Sequence, residues 1–229
     1  MLRFRHLTWT DRIVPFGVVG KQAKILSPRS VRKLLLVAGR GRFPDRDRLI
    51  VLLATQAGLR ACEIARLTWG MVLDANGHVA PVLDVRGCIA KRGSGRRIPM
   101  HPKLRKALTD WKRHQSPERI IPDGIIVPSL RGGAMRANSI VNWFVAKCRK
   151  AGLEGCSSHS GRRTFITSAA RRAHCSCASS TRRAGASLRV MPKACTQKLQ
   201  MLAGHRSIET TQAYIDGDSQ AQRRLVSMI

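Results

Sequence analysis

The sequence predicts a mainly α-helical domain with a small antiparallel β-sheet, an α+β class in which the sheet is the minor part. Apolar residues recur at helical spacing through most of the chain. Strand-like alternation is confined to the stretch between Val79 and Pro99. A chain of 229 residues with 43% apolar content can bury a proper core and forms one or two compact domains.

Residues 1–24 show no clear period and read as an irregular arm. Ser27-Pro28 is an N-cap followed by proline at the first helical position, leading into Val31, Leu34, Leu35 and Leu36 on one side of a short helix that Gly39-Arg40-Gly41 ends. A second helix from about Asp45 through Leu49 to Ala54 is apolar nearly all round, which predicts a central position, and Gly58 closes it. Arg60 then sits at a helix start, with Ile64 and Leu67 facing the core. A cation is disfavoured by the positive end of a helix dipole, so an anionic neighbour is expected, and Glu63 one turn on can hold the guanidinium as a local salt bridge. Val82, Leu83 and Val85, then Cys88-Ile89-Ala90, a turn over 91–95 and a return through Arg96-Arg97-Ile98-Pro99 read as a hairpin or three-stranded sheet with Lys91 near its tip. Amphipathic helices follow from Pro102 through Trp111 and from about Asn138 to Gly152. Another begins at the serines of 157–158, with His159 and Arg162 three residues apart on one face and Phe165 and Ile166 turned inward.

Charge narrows the partners. Forty-two basic and 13 acidic residues leave +29, far beyond what solubility requires. From Gly155 to Ile208 there is no Asp or Glu against ten Lys or Arg, over 54 residues. The longest apolar runs, 34–38 and 49–54, are core-sized, so a membrane is the weaker partner and nucleic acid the stronger. The N-terminus lacks a signal-peptide h-region, and the seven cysteines are odd in number and never spaced Cys-x-x-Cys. These features predict reduced thiols in a cytoplasmic, nucleoid-associated protein with neither a metal site nor a cofactor; the tight cluster His174-Cys175-Ser176-Cys177 lacks a second ligand pair.

The chain has one tyrosine, Tyr214, nine positions after His205. A phenol with a pKa near ~10 is a poor nucleophile unless its anion is stabilised. Arg60, Lys91, His159, Arg162, His205 and Tyr214 together are the parts needed to cleave a phosphodiester without metal. Two arginines clamp the non-bridging oxygens. Tyr214 attacks phosphorus in line, Lys91 on a mobile tip supplies a proton to the departing 5′ oxygen, His159 takes or returns the tyrosine proton, and His205 adds a hydrogen bond to the phosphate. The helix start carrying His159 and Arg162 adds backbone N–H donors.

With these residues in place the chain resembles the tyrosine recombinase (phage integrase) family. The Arg box is similar to 58–69, the hairpin lysine to Ala90-Lys91-Arg92-Gly93, the His-x-x-Arg box to 159–165, and the last box to Leu202-Ala203-Gly204-His205, with Tyr214 at the family's usual distance. The resemblance covers residues 25–229. It implies a catalytic domain of the DNA breaking-rejoining fold, a covalent 3′-phosphotyrosyl intermediate, strand exchange without ATP, and a homotetramer on double-stranded DNA, with accessory DNA-bending proteins as possible partners. It also implies a C-terminal segment donated to a neighbour, here within 217–229. On this basis the catalytic domain spans 25–216.

Two departures from the family are expected to matter. Residues 1–24 are too few for the N-terminal helical domain that completes a clamp round DNA, which predicts weaker, less salt-sensitive binding. His159 and His205 stand 46 positions apart where the family interval is shorter, so 174–199 reads as insertions. The alternatives are an impaired integrase remnant that only binds DNA and, further off, a type IB topoisomerase. A ribosomal or RNA-coating protein would account for the charge but leaves the six ordered residues as coincidence.

Overall fold

The computed structural model describes residues 23–183 and 193–216 and, within these, the side chains of all but 174–183 and 214–216. Helix α1, Pro28–Ala38, begins where the sequence places it: the Ser27 hydroxyl accepts from the Ser30 N–H at 3.1 Å. Its buried face runs through Leu34 and Ala38, flanked by Val31 and Leu35. Leu36 is 61% exposed, against expectation, because two residues beyond Leu34 lies about 200° round the helix.

Helix α2, Pro44–Gln56, is the central element that its all-round apolarity predicts. Leu49 through Thr55 are all buried, and it packs against α1, the short α3 (Ala61–Ala65), α4 (Pro102–Arg113) and α6 (Ser158–Arg183). Its first turn carries a buried carboxylate, Asp47. Arg46, Lys147 and the Trp143 indole N–H meet this group, clamping α2 to α5 (Ala137–Lys150). The entry segment before α1 is tied to α6, since the Leu26 N–H donates to Thr164 Oγ1 at 2.8 Å and Arg163 Nη1 donates to the Ala23 carbonyl at 2.9 Å.

The β element has two strands, β1 (Val82–Val85) and β2 (Arg96–Pro99), paired antiparallel with Val85 opposite Arg96. Cys88-Ile89-Ala90, read above as strand, is turn instead: the Ile89 and Ala90 N–H groups bond back to the Arg86 and Gly87 carbonyls. Ile89 and Ala90 are apolar because they plug the core beneath the loop, not because they pair with a strand. Lys91–Gly93 form a tight turn at the tip, where Arg92 has φ 60°.

Beyond α6 come α7, Lys193–Ala203, and α8, Ile208–Asp216. Within the stretch expected as insertions, 174–183 continue α6 and 193–199 open α7, while 184–192 lie outside the described residues. So do 1–22, most of the expected arm, and the tail 217–229. Among the described residues no helix is long and apolar enough to cross a membrane.

Helix α6 lies against α2 at a glycine: a Cβ on Gly161 would sit 2.8 Å from the Ala54 Cβ. Gly161→Val is therefore expected to wedge the two helices apart and cost about 1–3 kcal/mol, as overpacking does. Urea unfolding checks this, and an unchanged midpoint would show that the contact yields.

Candidate active site

Arg60 caps α3 in extended conformation, and the Glu63 side chain folds back to accept from its backbone N–H at 2.8 Å. The same carboxylate accepts from Arg60 Nη1 at 3.1 Å, so the anion expected near this arginine is indeed Glu63. The pair is more than a local salt bridge. Glu63 is fully buried and also takes both Nη groups of Arg96, each at 2.9 Å, from the first position of β2. Burial alone would raise the Glu63 carboxyl; the hydrogen bonds and charge of Arg96, with those of Arg60, outweigh it and hold the group below the ordinary carboxylate range. The Arg60 side chain stays 21% exposed, and its Nε and Nη2 meet no acceptor among the described residues.

Arg162 is held differently. Its guanidinium is buried and donates to two backbone carbonyls, Gly58 O just past the end of α2 (2.6 Å) and Ala203 O at the end of α7. Both carbonyls lie where helix dipoles turn negative, which suits a cation and leaves its formal charge intact. Gly58 (φ +63°) and Gly204 (φ +62°) make these turns in the left-handed region that favours glycine. Space demands glycine too: a Cβ on Gly58 would strike the Phe165 ring, and one on Gly204 would come within 2.9 Å of Arg96 Cδ.

His205 follows directly after that second turn. Its Nδ1 shares a 3.0 Å hydrogen bond with the buried Thr211 hydroxyl of α8, and its backbone N–H donates to the Gln200 carbonyl. Burial pushes its pKa down to about 4, helped by the charges of Arg162, Arg60 and Arg96. The ring is therefore neutral near pH 7, with the guanidinium groups of Arg162, Arg60 and Arg96 acting on it.

The structure thus brings Arg60, Arg162 and His205 into one cluster. Lys91 is exposed at the hairpin tip, where its carbonyl accepts from the Ser94 hydroxyl. His159 is exposed in the first turn of α6, three residues before Arg162. Tyr214 falls on α8, three residues after Thr211, and its side chain lies outside the described residues. Sequence reasoning passed over Arg96. Alternation along β2 gave the usable signal, since it puts Arg96 on the same face as the buried Ile98 and so predicts a buried cation needing an anion. Among the described residues no group of His, Cys, Asp and Glu has a metal-binding arrangement.

Comparison with known proteins decides the family. The phage integrase family model matches residues 24–173, well over half of the chain. The chain belongs to the phage integrase family. The matched span includes Arg60, Lys91, His159 and Arg162, while His205 and Tyr214 lie beyond it. The chain is 30% identical over 193 residues to the tyrosine recombinase XerA of Pyrococcus furiosus, a match covering 83% of this chain and 56% of that protein. It therefore spans little more than half the length of that curated relative. Among solved structures, XerA recombinase superposes with a TM-score of 0.64 at 21% identity, covering 93% of this chain and 66% of that one. XerH recombinase bound to a palindromic difH substrate gives 0.63 at 18% identity, over 90% and 53%. The Tn1549 transposon integrase in complex with a circular-intermediate DNA gives 0.61 at 19% identity, over 90% and 65%. The fold of this family member is accordingly that of a tyrosine recombinase catalytic domain, mostly helical with a two-stranded antiparallel sheet.

The His205 environment has a pH consequence. The folded-state pKa of about 4 lies below the ordinary 6.5, so between these values the unfolded chain binds a proton that the folded chain refuses. The His205 contribution to stability is complete above pH 6.5 and declines as pH falls through that window. Replacing His205 by Gln is expected to flatten the stability–pH slope there, as measured by thermal melts in buffers across the window. An equal slope in the variant would mean that His205 protonates freely in the folded protein.

Proposed function

We propose that this phage integrase family member is a site-specific DNA recombinase that cleaves and rejoins double-stranded DNA through a 3′-phosphotyrosyl intermediate. The observation that carries the reading is the clustering of Arg60, Arg96 and Arg162 round a neutral His205, with Glu63 the one carboxylate bound to them among the described residues. Such a cluster keeps a surplus of positive charge in a partly buried site, which favours a phosphodiester and, more strongly, the doubly charged pentavalent state formed on attack.

In this reading Arg60 and Arg162 bind the non-bridging oxygens of the scissile phosphate, and His205 adds a hydrogen bond. Tyr214 attacks phosphorus in line: the new bond joins its phenolic oxygen to the 3′-phosphate, and the bond to the 5′ oxygen breaks. His159 accepts the phenol proton and Lys91 protonates the leaving 5′ oxygen, so protons and charge balance. Rejoining runs the same steps in reverse with a 5′-hydroxyl from the partner duplex, and the phosphotyrosyl bond conserves the energy, so no cofactor is needed. The DNA-bound structures of XerH and of the Tn1549 integrase support double-stranded DNA as the partner. We further propose assembly as a homotetramer on two duplexes, aided by DNA-bending proteins in a nucleoid setting.

The test is covalent capture. The protein is incubated with a library of randomised duplexes, each nicked close to the 3′ side of the cleavage position so that the short 5′-hydroxyl fragment is lost, and SDS-resistant protein–DNA adducts are collected. Adducts are expected from the native chain and none from Tyr214→Phe; DNA binding with no adduct from either would leave only a DNA-binding protein. Arg60→Ala and Arg162→Ala are each expected to lower the cleavage rate by about 100-fold or more, the loss seen when one donor to a developing oxyanion is removed. Lys91→Ala should recover on a 5′-bridging phosphorothiolate, whose thiolate leaves without a proton; absence of recovery would take Lys91 out of its role.

A further inference from the structure

Arg96 lies outside the six residues assigned above, yet its side chain is only 4% exposed and joins three separate parts of the site. Its two Nη groups bind both oxygens of Glu63 at 2.9 Å, and its Nε donates at 3.1 Å to the Leu202 carbonyl, three residues before His205. Gly204 leaves the room for its Cδ. On the chain it is the first residue of β2, five positions after Lys91 on the same hairpin. Glu63, which Arg96 grips, is also the group that holds Arg60 by backbone and side chain.

The sharing of that carboxylate has a directional effect. Glu63 Oε1 accepts from Arg60 Nη1 and Arg96 Nη1, while Oε2 accepts from the Arg60 N–H and Arg96 Nη2. With Arg96 taking the paired, fork-like contact, Arg60 makes a single side-chain hydrogen bond to Glu63 and keeps its side chain 21% exposed. Without Arg96, a fully buried carboxylate would have one cation to itself and would draw Arg60 into the paired geometry, away from a ligand.

We propose that Arg96 is a positioning residue: by occupying Glu63 it reserves Arg60 for a phosphate, and by binding the Leu202 carbonyl it fixes the turn that presents His205. This rests on the reading of the site as one that binds a DNA phosphate. A double-mutant cycle tests it without requiring cleavage. In a Tyr214→Phe background, affinity for duplex DNA is measured by fluorescence anisotropy at constant salt for the parent, Arg60→Ala, Arg96→Gln and both. Arg60→Ala is expected to weaken binding by about 10-fold or more when Arg96 is present, the size of a charged hydrogen bond to phosphate. It should weaken binding by less than about 3-fold when Arg96 is Gln, because most of the Arg60 contact has then already gone. Equal losses in both backgrounds would overturn the proposal.

Removing Arg96 also strands a buried charge, so the affinity cycle is run well below the melting temperature of Arg96→Gln, and the Glu63→Gln/Arg96→Gln pair is added to it. Glu63→Gln leaves no charge to draw Arg60 inward, so the Arg60-dependent affinity lost in Arg96→Gln is expected to return in the pair. If it stays lost, capture of Arg60 by Glu63 is not what Arg96 prevents. Absence of adduct from the native chain would sink the recombinase reading, whereas the affinity cycle would still report whether Arg96 governs Arg60.

Discussion

The site depends on one buried anion. Glu63 has no exposed surface, and a carboxylate in that position is tolerable only because four N–H donors converge on its two oxygens. Two of those donors belong to Arg96, itself buried, so each partner offsets the cost of burying the other. The third element, Arg60, is bound to the same carboxylate but sits at its outer edge. A single negative charge thus organises two guanidinium groups and is not enough to neutralise them.

Arg162 shows a second way of holding a cation. Two carbonyls at the C-terminal ends of α2 and α7 accept from it, so helix dipoles help to fix its position without adding a full negative charge of their own. The arrangement demands two backbone turns that run through positive φ, and glycines stand at both, Gly58 and Gly204. This ties distant parts of the chain together: the end of the central helix, the first turn of α6 and the turn preceding His205 meet at one side chain. Displacement of any of them would be felt at Arg162, which is why a close approach such as that of Gly161 to Ala54 bears on the site as well as on the core.

Much of this was legible in the sequence, for identifiable reasons. Ser27-Pro28 announced α1, all-round apolarity announced the central α2, and Arg60 at a helix start called for an anion that Glu63 supplies. What escaped notice depended on contacts between segments far apart. Nothing local to Arg96-Arg97 distinguishes a buried arginine from a solvated one; only strand phase, read with Ile98, separates them. Cys88-Ile89-Ala90 was misread because a short apolar run looks the same whether it pairs in a sheet or plugs a core beneath a turn. Leu36 was misread by proximity, since three successive leucines cannot share one helical face.

The acid-free run from Gly155 to Ile208 gains a physical meaning from these contacts. A solvated surface of that length would mix signs, yet two of its arginines are buried and bound to carbonyls, Arg162 to Gly58 and Ala203 and Arg163 to Ala23. Backbone carbonyls orient a guanidinium and leave its net charge in place. A carboxylate in the same positions would orient it equally well and cancel the field. The field is felt at His205, whose ring is kept neutral by burial and by Arg162, Arg60 and Arg96. The two carbonyl contacts thus hold Arg162 in the interior without adding a full negative charge of their own to the field at His205.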